Sequence, residues 1–478
     1  MSGLSPLRRS CCGPSRLTLR WQASSRRTLL TARHVQQGTA PLPIRCSRSA
    51  PRAPTGSCLF SAYRRLISSS ARPATPKVLI NDIASQEVLV ELDSGEAARY
   101  PSFWLRDHCL CETCSHPHTH QRQLDTFALD PSTKAASIAP TSDGLEIIWA
   151  DGDAHRSLFP WSWLREHSPF PSSKLNATQR HQATRHWTPF LPSSPRPQTS
   201  FETLTSQSGR ASLFSQIQTH GLAFISNTPP SPEATIELLN ALGPIRHTHY
   251  GGFWDFTSVA NPIDTAYTNL SLPLHTDTTY FNDPCGLQLF HLLSHGPSST
   301  TPQPADFDAT LGGESTFSDG FAAADALYRT DKAAYELLST IPIVFAAEGS
   351  PAGPFRNNAL HIQGGPVLNH ADPSMRPNAL SPSTLTQVRW NNCDRSPLTV
   401  FPSHSVMLGW YRAAKLWKEI LESGEFEVQV KLRPGEPVVF DNWRVLHGRK
   451  AFEGKRRMCG AYTAMDDFRA GAQALGVV

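Results

Sequence analysis

Two short stretches that lie far apart in the chain indicate the fold. The first is Leu274-His275-Thr276-Asp277, and the second is Phe440-Asp441-Asn442-Trp443-Arg444-Val445-Leu446-His447-Gly448-Arg449. Residues i and i+2 of a β-strand point to the same face, so His275 and Asp277 can bind one metal ion together. His447 would complete a set of two imidazoles and one carboxylate. Such a facial triad leaves coordination positions open and is typical of non-haem Fe(II) sites that take up a cosubstrate and O₂.

An arginine follows His447 at a fixed distance. Arg456 lies nine residues later, in Gly454-Lys455-Arg456-Arg457-Met458-Cys459-Gly460-Ala461-Tyr462. A guanidinium fork on an adjacent strand is what a dicarboxylate cosubstrate needs for binding. The hydroxyl of Ser315 is available for the same carboxylate. This pattern predicts a cosubstrate site beside the metal.

Short apolar runs separated by turns dominate the chain after residue 77. The predicted strands are 78–80, 88–90, 145–149, 221–225, 286–293, 341–346, 398–401, 426–432 and 437–440, and the predicted helices are 201–220, 232–242, 320–338 and 405–423. Many short strands with few helices are typical of a β-barrel or jelly roll. We therefore predict a mainly β (α+β) protein. A small β domain covers 77–170, a Pro- and Ser-rich linker covers 171–200, and a jelly-roll domain covers 201–478, with a surface insertion at 296–311.

The charge is unevenly spread along the chain. Of the 44 basic side chains, 14 lie in residues 1–80, where there is no acidic residue, so residues 81–478 hold 30 basic and 40 acidic side chains. An Arg- and Ser-rich, acid-free start is typical of a mitochondrial transit peptide, which we place at 1–72. The acidic body argues against a nucleic-acid partner. No stretch reaches the roughly 20 apolar residues that a membrane span requires.

Three cysteines stand close together at Cys109, Cys111 and Cys114. Their spacing is that of metal ligands and does not suggest a disulfide framework. Tetrahedral Zn²⁺ requires a fourth ligand. The candidates by position are four histidines: His116, His118, His120 and His155. A site closed by four protein ligands would be structural.

The blocks around these motifs resemble the hydroxylases of carnitine biosynthesis. The resemblance covers roughly residues 78–478 and rests on Trp104-Leu105-Arg106-Asp107-His108-Cys109, Thr119-His120-Gln121-Arg122, Asp264-Thr265-Ala266-Tyr267-Thr268, His275-Thr276-Asp277-Thr278-Thr279-Tyr280-Phe281 and the 441–449 block. It implies a double-stranded β-helix with a small N-terminal zinc-binding domain. It also implies iron ligands at His275, Asp277 and His447, a 2-oxoglutarate arginine at Arg456, and His155 as the fourth zinc ligand.

The same resemblance implies a substrate site for a small trimethylammonium amino acid. Aromatic faces hold a quaternary ammonium group through cation–π attraction. Cage positions of the family match Tyr250, Trp254, Tyr267 and Tyr462, with the Asp264 carboxylate nearby and Asn391 or Asn392 at the carboxylate end of the substrate. Asp264 favours the branch that hydroxylates trimethyllysine at C3, the first step of carnitine biosynthesis. The resemblance further implies Fe(II), 2-oxoglutarate, O₂ and ascorbate as cofactors, and a homodimer. The transit peptide predicts a mitochondrial matrix location.

Other functions fit parts of the sequence. Hydroxylation of γ-butyrobetaine to carnitine keeps the chemistry and changes the substrate. A taurine-type sulfonate dioxygenase shares the triad but has no reason for an aromatic cage. A metal-binding jelly-roll protein without enzymatic activity would leave Arg456 without a role. A zinc-finger nucleic-acid binder would use 109–114, which the acidic body argues against.

Overall fold

The structure is a computed structural model that describes 77–82, 87–91, 97–150, 154–167, 169, 196–257, 268–299, 303–347, 361–371 and 380–477. The predicted transit segment 1–72 and most of the predicted linker lie outside the described residues. Of that linker, residues 196–200 are described, and they enter the main sheet through a strand at Gln198–Ser200.

The described residues form mainly strands. These are β1 (Lys77–Asp82), β2 (Glu87–Glu91), β3 (Ala97–Pro101), β4 (Ala135–Pro140), β5 (Gly144–Trp149), β6 (Arg156–Pro160), β7 (Gln198–Ser200), β8 (Leu222–Ser226), β9 (Trp254–Thr257), β10 (Leu272–His275), β11 (Leu287–Gly296), β12 (Ser315–Asp319), β13 (Ile343–Ala347), β14 (His361–Gly365), β15 (Leu368–His370), β16 (Leu385–Val388), β17 (Glu427–Val430), β18 (Val438–Asp441), β19 (Val445–Arg449) and β20 (Lys455–Thr463). The helices are α1 (Ser102–Asp107), α2 (Trp161–Glu166), α3 (Gln207–His220), α4 (Pro232–Leu242), α5 (Gly320–Thr330), α6 (Lys332–Thr340), α7 (His404–Leu421) and α8 (Met465–Ala474).

Two sheets face each other and form the jelly roll. The larger sheet has six strands in the order β7-β8-β18-β11-β20-β9, and the smaller has four in the order β10-β19-β12-β17. Strands of both sheets contribute to one buried cluster that includes Phe224, Phe317, Phe440 and Val445. Strands β12 and β19 are buried along their whole length, because alternate side chains fill this interior and the others lie under helices on the outer face.

Helices cover the outer faces of the two sheets. Helices α3, α4 and α8 pack with the larger sheet around Phe214, Leu238 and Phe468. Helices α5, α6 and α7 pack around Tyr335 and Trp410 beside the smaller sheet. Each of these helices buries one stripe of side chains, as expected for helices laid on a sheet. Within the described part of the chain, no helix has both the length and the apolar character needed to cross a membrane.

The N-terminal region contains an internal repeat. Strands β1–β3 form one antiparallel sheet and β4–β6 form another, and each sheet is followed by a six-residue helix. The two helices share the pattern Pro-x-x-Trp-Leu-Arg-(Asp/Glu)-His at 101–108 and 160–167. The two tryptophans, Trp104 and Trp163, lie 5.5 Å apart between ring centroids in a common core. The Cys109 to Cys114 loop therefore connects two copies of one βββα unit.

The structure departs from the predicted elements at several places. Of the predicted helix 201–220, Phe201–Thr205 forms a separate 3-10 helix, and Ser206 caps α3. The predicted helix 320–338 is two helices, because Asp331 ends α5 and its side chain accepts a hydrogen bond from the Ala334 amide to begin α6. The predicted strand 398–401 is wrong. This segment has no strand partner, and Leu398 and Phe401 pack against the core around α7. Its apolar residues therefore pack against a helix and do not form part of a sheet.

Candidate functional site

The two strands that carry the iron-type motif are neighbours in the smaller sheet. His275 at the end of β10 pairs directly with His447 on β19, and their ring centroids are 4.3 Å apart. Asp277 follows β10, with its Oδ1 3.2 Å from His275 Nε2 and its Oδ2 3.8 Å from His447 Nε2. One ligand atom from each of the three residues lies within 4.8 Å of the others. The structure thus brings together the three residues that the sequence predicts.

The hydrogen bonds and the chemistry of the donor atoms in the cluster suit a cation. The Pro273 carbonyl can only accept, so the hydrogen bond of 2.8 Å to His275 Nδ1 places the proton there and leaves the Nε2 lone pair directed at the cluster. Burial, followed by the nearby His275, lowers the pKa of His447 to about 3. Burial would raise the pKa of Asp277, but both imidazoles and a hydroxyl outweigh it and hold that pKa well below its ordinary value. Burial would lower the pKa of His275, but the hydrogen bond with Asp277 and the charge of that carboxylate outweigh it and raise the pKa. Two imidazoles and one carboxylate are a donor set that fits Fe(II).

Three side chains hold Asp277 in place. The Tyr462 hydroxyl and the Gln288 side-chain amide each donate to Asp277 Oδ2 at 2.7 Å. Asn442 accepts from the Asp277 amide at 2.8 Å and donates to its carbonyl at 3.1 Å. The carboxylate is thereby fixed with Oδ1 next to His275. The sequence did not identify Gln288, and it placed Tyr462 in a cage and not beside the carboxylate.

Buried cationic groups form another wall of the same pocket. Arg456 on β20 and Ser315 on β12 are 5% and 6% exposed and line the pocket together with His275 and His447. Arg449 lines it as well, and its side chain donates to the carbonyls of Thr268 and Leu270. Burial, followed by the charge of Arg449, lowers the pKa of Arg456 to about 9. A guanidinium group this far from water favours an anionic ligand.

Aromatic side chains also line the pocket. Tyr250, Trp254, Tyr280 and Tyr462 all border it, and the hydroxyls of Tyr250 and Tyr280 are 3.1 Å apart. Trp254 and Tyr462 meet edge to face at 6.4 Å between centroids. A Cβ at Gly460 would stand 2.4 Å from the Trp254 indole, so a glycine is required where this ring crosses β20. Tyr280 was not among the predicted residues.

The predicted asparagines have different surroundings. Asn391 is buried, lines the pocket and donates to Asp394 Oδ2 at 2.8 Å. Asn392 is exposed, and its side-chain carbonyl accepts from Arg395 away from the pocket. The structure therefore separates two neighbours that the sequence left as alternatives. Asp264 and Tyr267 lie outside the described residues.

A second cluster lies between the two N-terminal βββα units. His155 Nε2 is 3.2 Å from Cys109 Sγ and 3.5 Å from both Cys111 Sγ and Cys114 Sγ. The four ligand atoms lie within 4.8 Å of one another, and the cysteines are not in disulfides. Three thiols and one imidazole are a donor set that fits tetrahedral Zn²⁺. The alternative ligands His116, His118 and His120 are not part of this cluster.

The surroundings of the three thiols differ. Burial raises the pKa of Cys109 to about 12, although Ser157 donates to its sulfur. Burial also acts on Cys111, but hydrogen bonds from Thr113 and Cys109 outweigh it and lower its pKa to about 7. Arg106 of the first repeated helix donates to Cys114 Sγ at 3.5 Å. Each of the two βββα units therefore donates a side-chain hydrogen bond to a sulfur of the cluster, from Arg106 in the first unit and from Ser157 in the second.

Comparison with known proteins agrees with this geometry. Residues 187–462 match the family described as "Taurine catabolism dioxygenase TauD, TfdA family", which is more than half of the chain. Residues 80–165 match the family described as "Gamma-butyrobetaine hydroxylase-like, N-terminal".

Curated relatives are similar over most of their length. A protein named trimethyllysine dioxygenase from Neurospora crassa is 37% identical over 78% of this chain and 80% of its own. One from Meyerozyma guilliermondii is 34% identical over 82% of this chain and 94% of its own. The protein from Homo sapiens, named mitochondrial trimethyllysine dioxygenase, is 35% identical over 79% and 83%. The chain therefore belongs to the trimethyllysine dioxygenase group of the TauD/TfdA family.

Proposed function

We propose that this chain is an Fe(II)- and 2-oxoglutarate-dependent dioxygenase that hydroxylates trimethyllysine at C3, the first step of carnitine biosynthesis. The family supports the reaction class, and the names of the relatives support the substrate. The observation that carries the proposal is a single pocket lined by the His275, Asp277 and His447 cluster and by the buried Arg456.

The iron would be held by His275 Nε2, Asp277 and His447 Nε2. When bound, Fe(II) with 2-oxoglutarate and O₂ supplies the oxidising chemistry that converts a C–H bond into C–OH, with release of succinate and CO₂. Arg456 and Ser315 would hold the distal carboxylate of 2-oxoglutarate, because both are buried in the pocket wall. The side chains contribute binding, orientation and the exclusion of water, and none has to act as a general acid or base.

The substrate would lie between the aromatic wall and the metal cluster. Tyr250, Trp254 and Tyr462 present aromatic rings that suit a trimethylammonium group, at about 0.5–2 kcal/mol per good contact. Asn391 would bind near the amino-acid end of the substrate. Asp264 and Tyr267 are proposed for the same site on the family resemblance alone.

Four further properties are proposals. The acid-free segment 1–80 and the word "mitochondrial" in the names of the mouse, cattle and human relatives support a mitochondrial matrix location. The second cluster supports a structural zinc. Ascorbate as the reductant that keeps iron ferrous, and a homodimer, rest on the family resemblance.

The proposal is tested by incubating the purified chain with Fe(II), ascorbate and 2-oxoglutarate, and with trimethyllysine or γ-butyrobetaine in separate reactions. We expect a product heavier by one oxygen, together with succinate, from trimethyllysine only. Product from γ-butyrobetaine only would transfer the chain to the alternative reaction. Absence of both product and succinate would favour a metal-binding protein without enzymatic activity.

The iron assignment is tested separately with Asp277→Ala. This variant removes the only carboxylate of the triad, so substrate-dependent CO₂ release should be lost. The binding of Mn(II), followed by electron paramagnetic resonance, should weaken in parallel. A variant that keeps full activity would contradict the assignment of Asp277.

A further inference from the structure

The segment that follows β16 brings a carboxylate into the pocket that neither the motifs nor the comparisons assign. Asp394 and Cys393 line the pocket beside His275. The Asn391 side-chain nitrogen donates to Asp394 Oδ2 at 2.8 Å, and Asn391 Oδ1 accepts from the Cys393 backbone amide at 2.9 Å. The backbone carbonyl of Asp394 accepts from the Ala346 amide of β13 at 2.8 Å. This carboxylate is therefore held in a defined orientation.

The same segment is bonded to the metal-binding motif itself. The Thr276 amide donates to the Trp390 carbonyl at 2.7 Å, and the Trp390 amide donates to Thr276 Oγ1 at 3.0 Å. Thr276 stands between His275 and Asp277. The position of Asp394 is consequently fixed relative to the metal cluster, and its charge is close enough to contribute to the electrostatics of His275.

The chemistry of the substrate requires a group at this place. In an α-amino acid that is hydroxylated at C3, the ammonium group is on C2, the neighbouring carbon. Whatever binds the ammonium must therefore border the metal site. In the described part of the pocket, the lining contains two carboxylates, Asp277 and Asp394. Asp264, proposed for the same site on the family resemblance, lies outside the described residues. Asp277 belongs to the metal cluster, and its Oδ2 already accepts two hydrogen bonds.

We propose that Asp394 binds the α-ammonium group of the substrate and so selects a trimethylated amino acid over a betaine that lacks this group. The inference rests on the proposed function. Asn391 orients the Asp394 carboxylate and leaves its second amide hydrogen for the substrate carboxylate, so that the pair recognises the zwitterionic head. An ammonium–carboxylate pair in a water-poor pocket contributes about 10- to 100-fold in specificity.

The test compares wild type and Asp394→Asn on two compounds. One is trimethyllysine, and the other is 6-(trimethylammonio)hexanoate, which differs only by the absence of the α-amino group. The asparagine keeps the shape of the side chain and an acceptor for Asn391. We expect kcat/KM for trimethyllysine to fall about 10- to 100-fold. We expect kcat/KM for the desamino compound to change less than about threefold.

The two compounds separate binding of the ammonium from an indirect effect. If Asp394 acted only through His275 or through folding, both compounds would lose activity equally, and the proposal would be overturned. An unchanged kcat/KM for trimethyllysine would overturn it as well. The matched control is Asp325→Asn on α5, where the aspartate forms an exposed ion pair with Arg329 outside the pocket. This control should leave both values unchanged.

Failure of the proposed function has a different signature. If wild type hydroxylates γ-butyrobetaine but neither of the two compounds, the trimethyllysine reaction is wrong and the role of Asp394 is rejected with it. Suppose that wild type hydroxylates trimethyllysine and that Asp394→Asn has the same ratio of kcat/KM for the two compounds as wild type. In that case only the role of Asp394 is rejected.

Discussion

The side-chain amide of Gln288 donates a hydrogen bond of 2.7 Å to Oδ2 of Asp277. Gln288 lies on β11 of the larger sheet, whereas Asp277 follows β10 of the smaller sheet. The bond therefore connects the two layers of the jelly roll at the metal cluster. It also occupies the oxygen that is turned away from His275, which favours binding of the metal through Oδ1.

Replacing Gln288 with alanine should weaken metal binding. The carboxylate would lose one of the two donors on Oδ2 and gain freedom to rotate, and partners of this kind contribute roughly 10- to 100-fold to metal affinity. Titration calorimetry with Mn(II) measures the change without turnover. Gln429→Ala, at an exposed position of β17, is the control and should bind Mn(II) as wild type does. Equal affinity of all three proteins would show that Gln288 does not position Asp277.

Tyr462→Phe separates two roles of one side chain. The phenylalanine keeps an aromatic face for the trimethylammonium group and removes the hydroxyl that donates to Asp277 Oδ2. If the hydroxyl matters through Asp277, Mn(II) affinity should fall by about tenfold while KM for trimethyllysine changes little. A large increase in KM with unchanged metal affinity would instead support a role in the cage alone.

The iron-type motif could be predicted from the sequence because its residues lie close together in the chain or are separated by a fixed number of residues. His275 and Asp277 are two residues apart, at the end of β10 and just after it, and Arg456 lies on β20, the strand that follows His447. The family and the fold class predicted from these motifs are confirmed by the comparisons. The roles of individual site residues stay predictions.

Gln288, Asp394 and the orientation of Tyr462 depend on long-range packing, which no local pattern encodes. Gln288 reaches Asp277 only because β11 and β10 lie in sheets that face each other. A tyrosine in a strand can direct either its ring or its hydroxyl toward a site, and residue type does not decide between them. The repeated Pro-x-x-Trp-Leu-Arg-(Asp/Glu)-His pattern is present in the sequence, but the matching βββα units make its meaning evident.

Binding of zinc to the N-terminal cluster should release protons. Zinc binds thiolates, and the pKa of Cys109 is raised to about 12 by burial, so this group is a thiol at neutral pH and must lose its proton. The pKa of Cys111 is about 7, so this thiol is partly protonated at neutral pH. The number of protons that zinc displaces from it rises as the pH falls. Zinc affinity should consequently decrease as the pH is lowered from 8 to 6.

Calorimetry of zinc-free protein in two buffers with different ionisation enthalpies measures the protons released. We expect about one or more per zinc at pH 7. His155→Ala should weaken zinc binding, whereas His118→Ala, outside the cluster, should not. Zinc binding that neither depends on pH nor responds to His155→Ala would contradict the assignment of this site.

A buried ion pair at the start of α5 should be essential for stability. Arg444 donates to both oxygens of Asp319 at 3.1 and 2.8 Å, and the two side chains are 3% and 0% exposed. Asp319 also accepts from the first amides of α5. Asp319→Ala removes this cap and leaves a buried guanidinium without its carboxylate, which should cost about 3–5 kcal/mol in the free energy of unfolding. Urea unfolding followed by fluorescence measures the loss.

The control variant is Asp325→Ala, which breaks an exposed i,i+4 pair with Arg329 and should cost less than about 0.5 kcal/mol in the free energy of unfolding. Similar losses in the two variants would mean that the buried pair contributes no more than a surface pair.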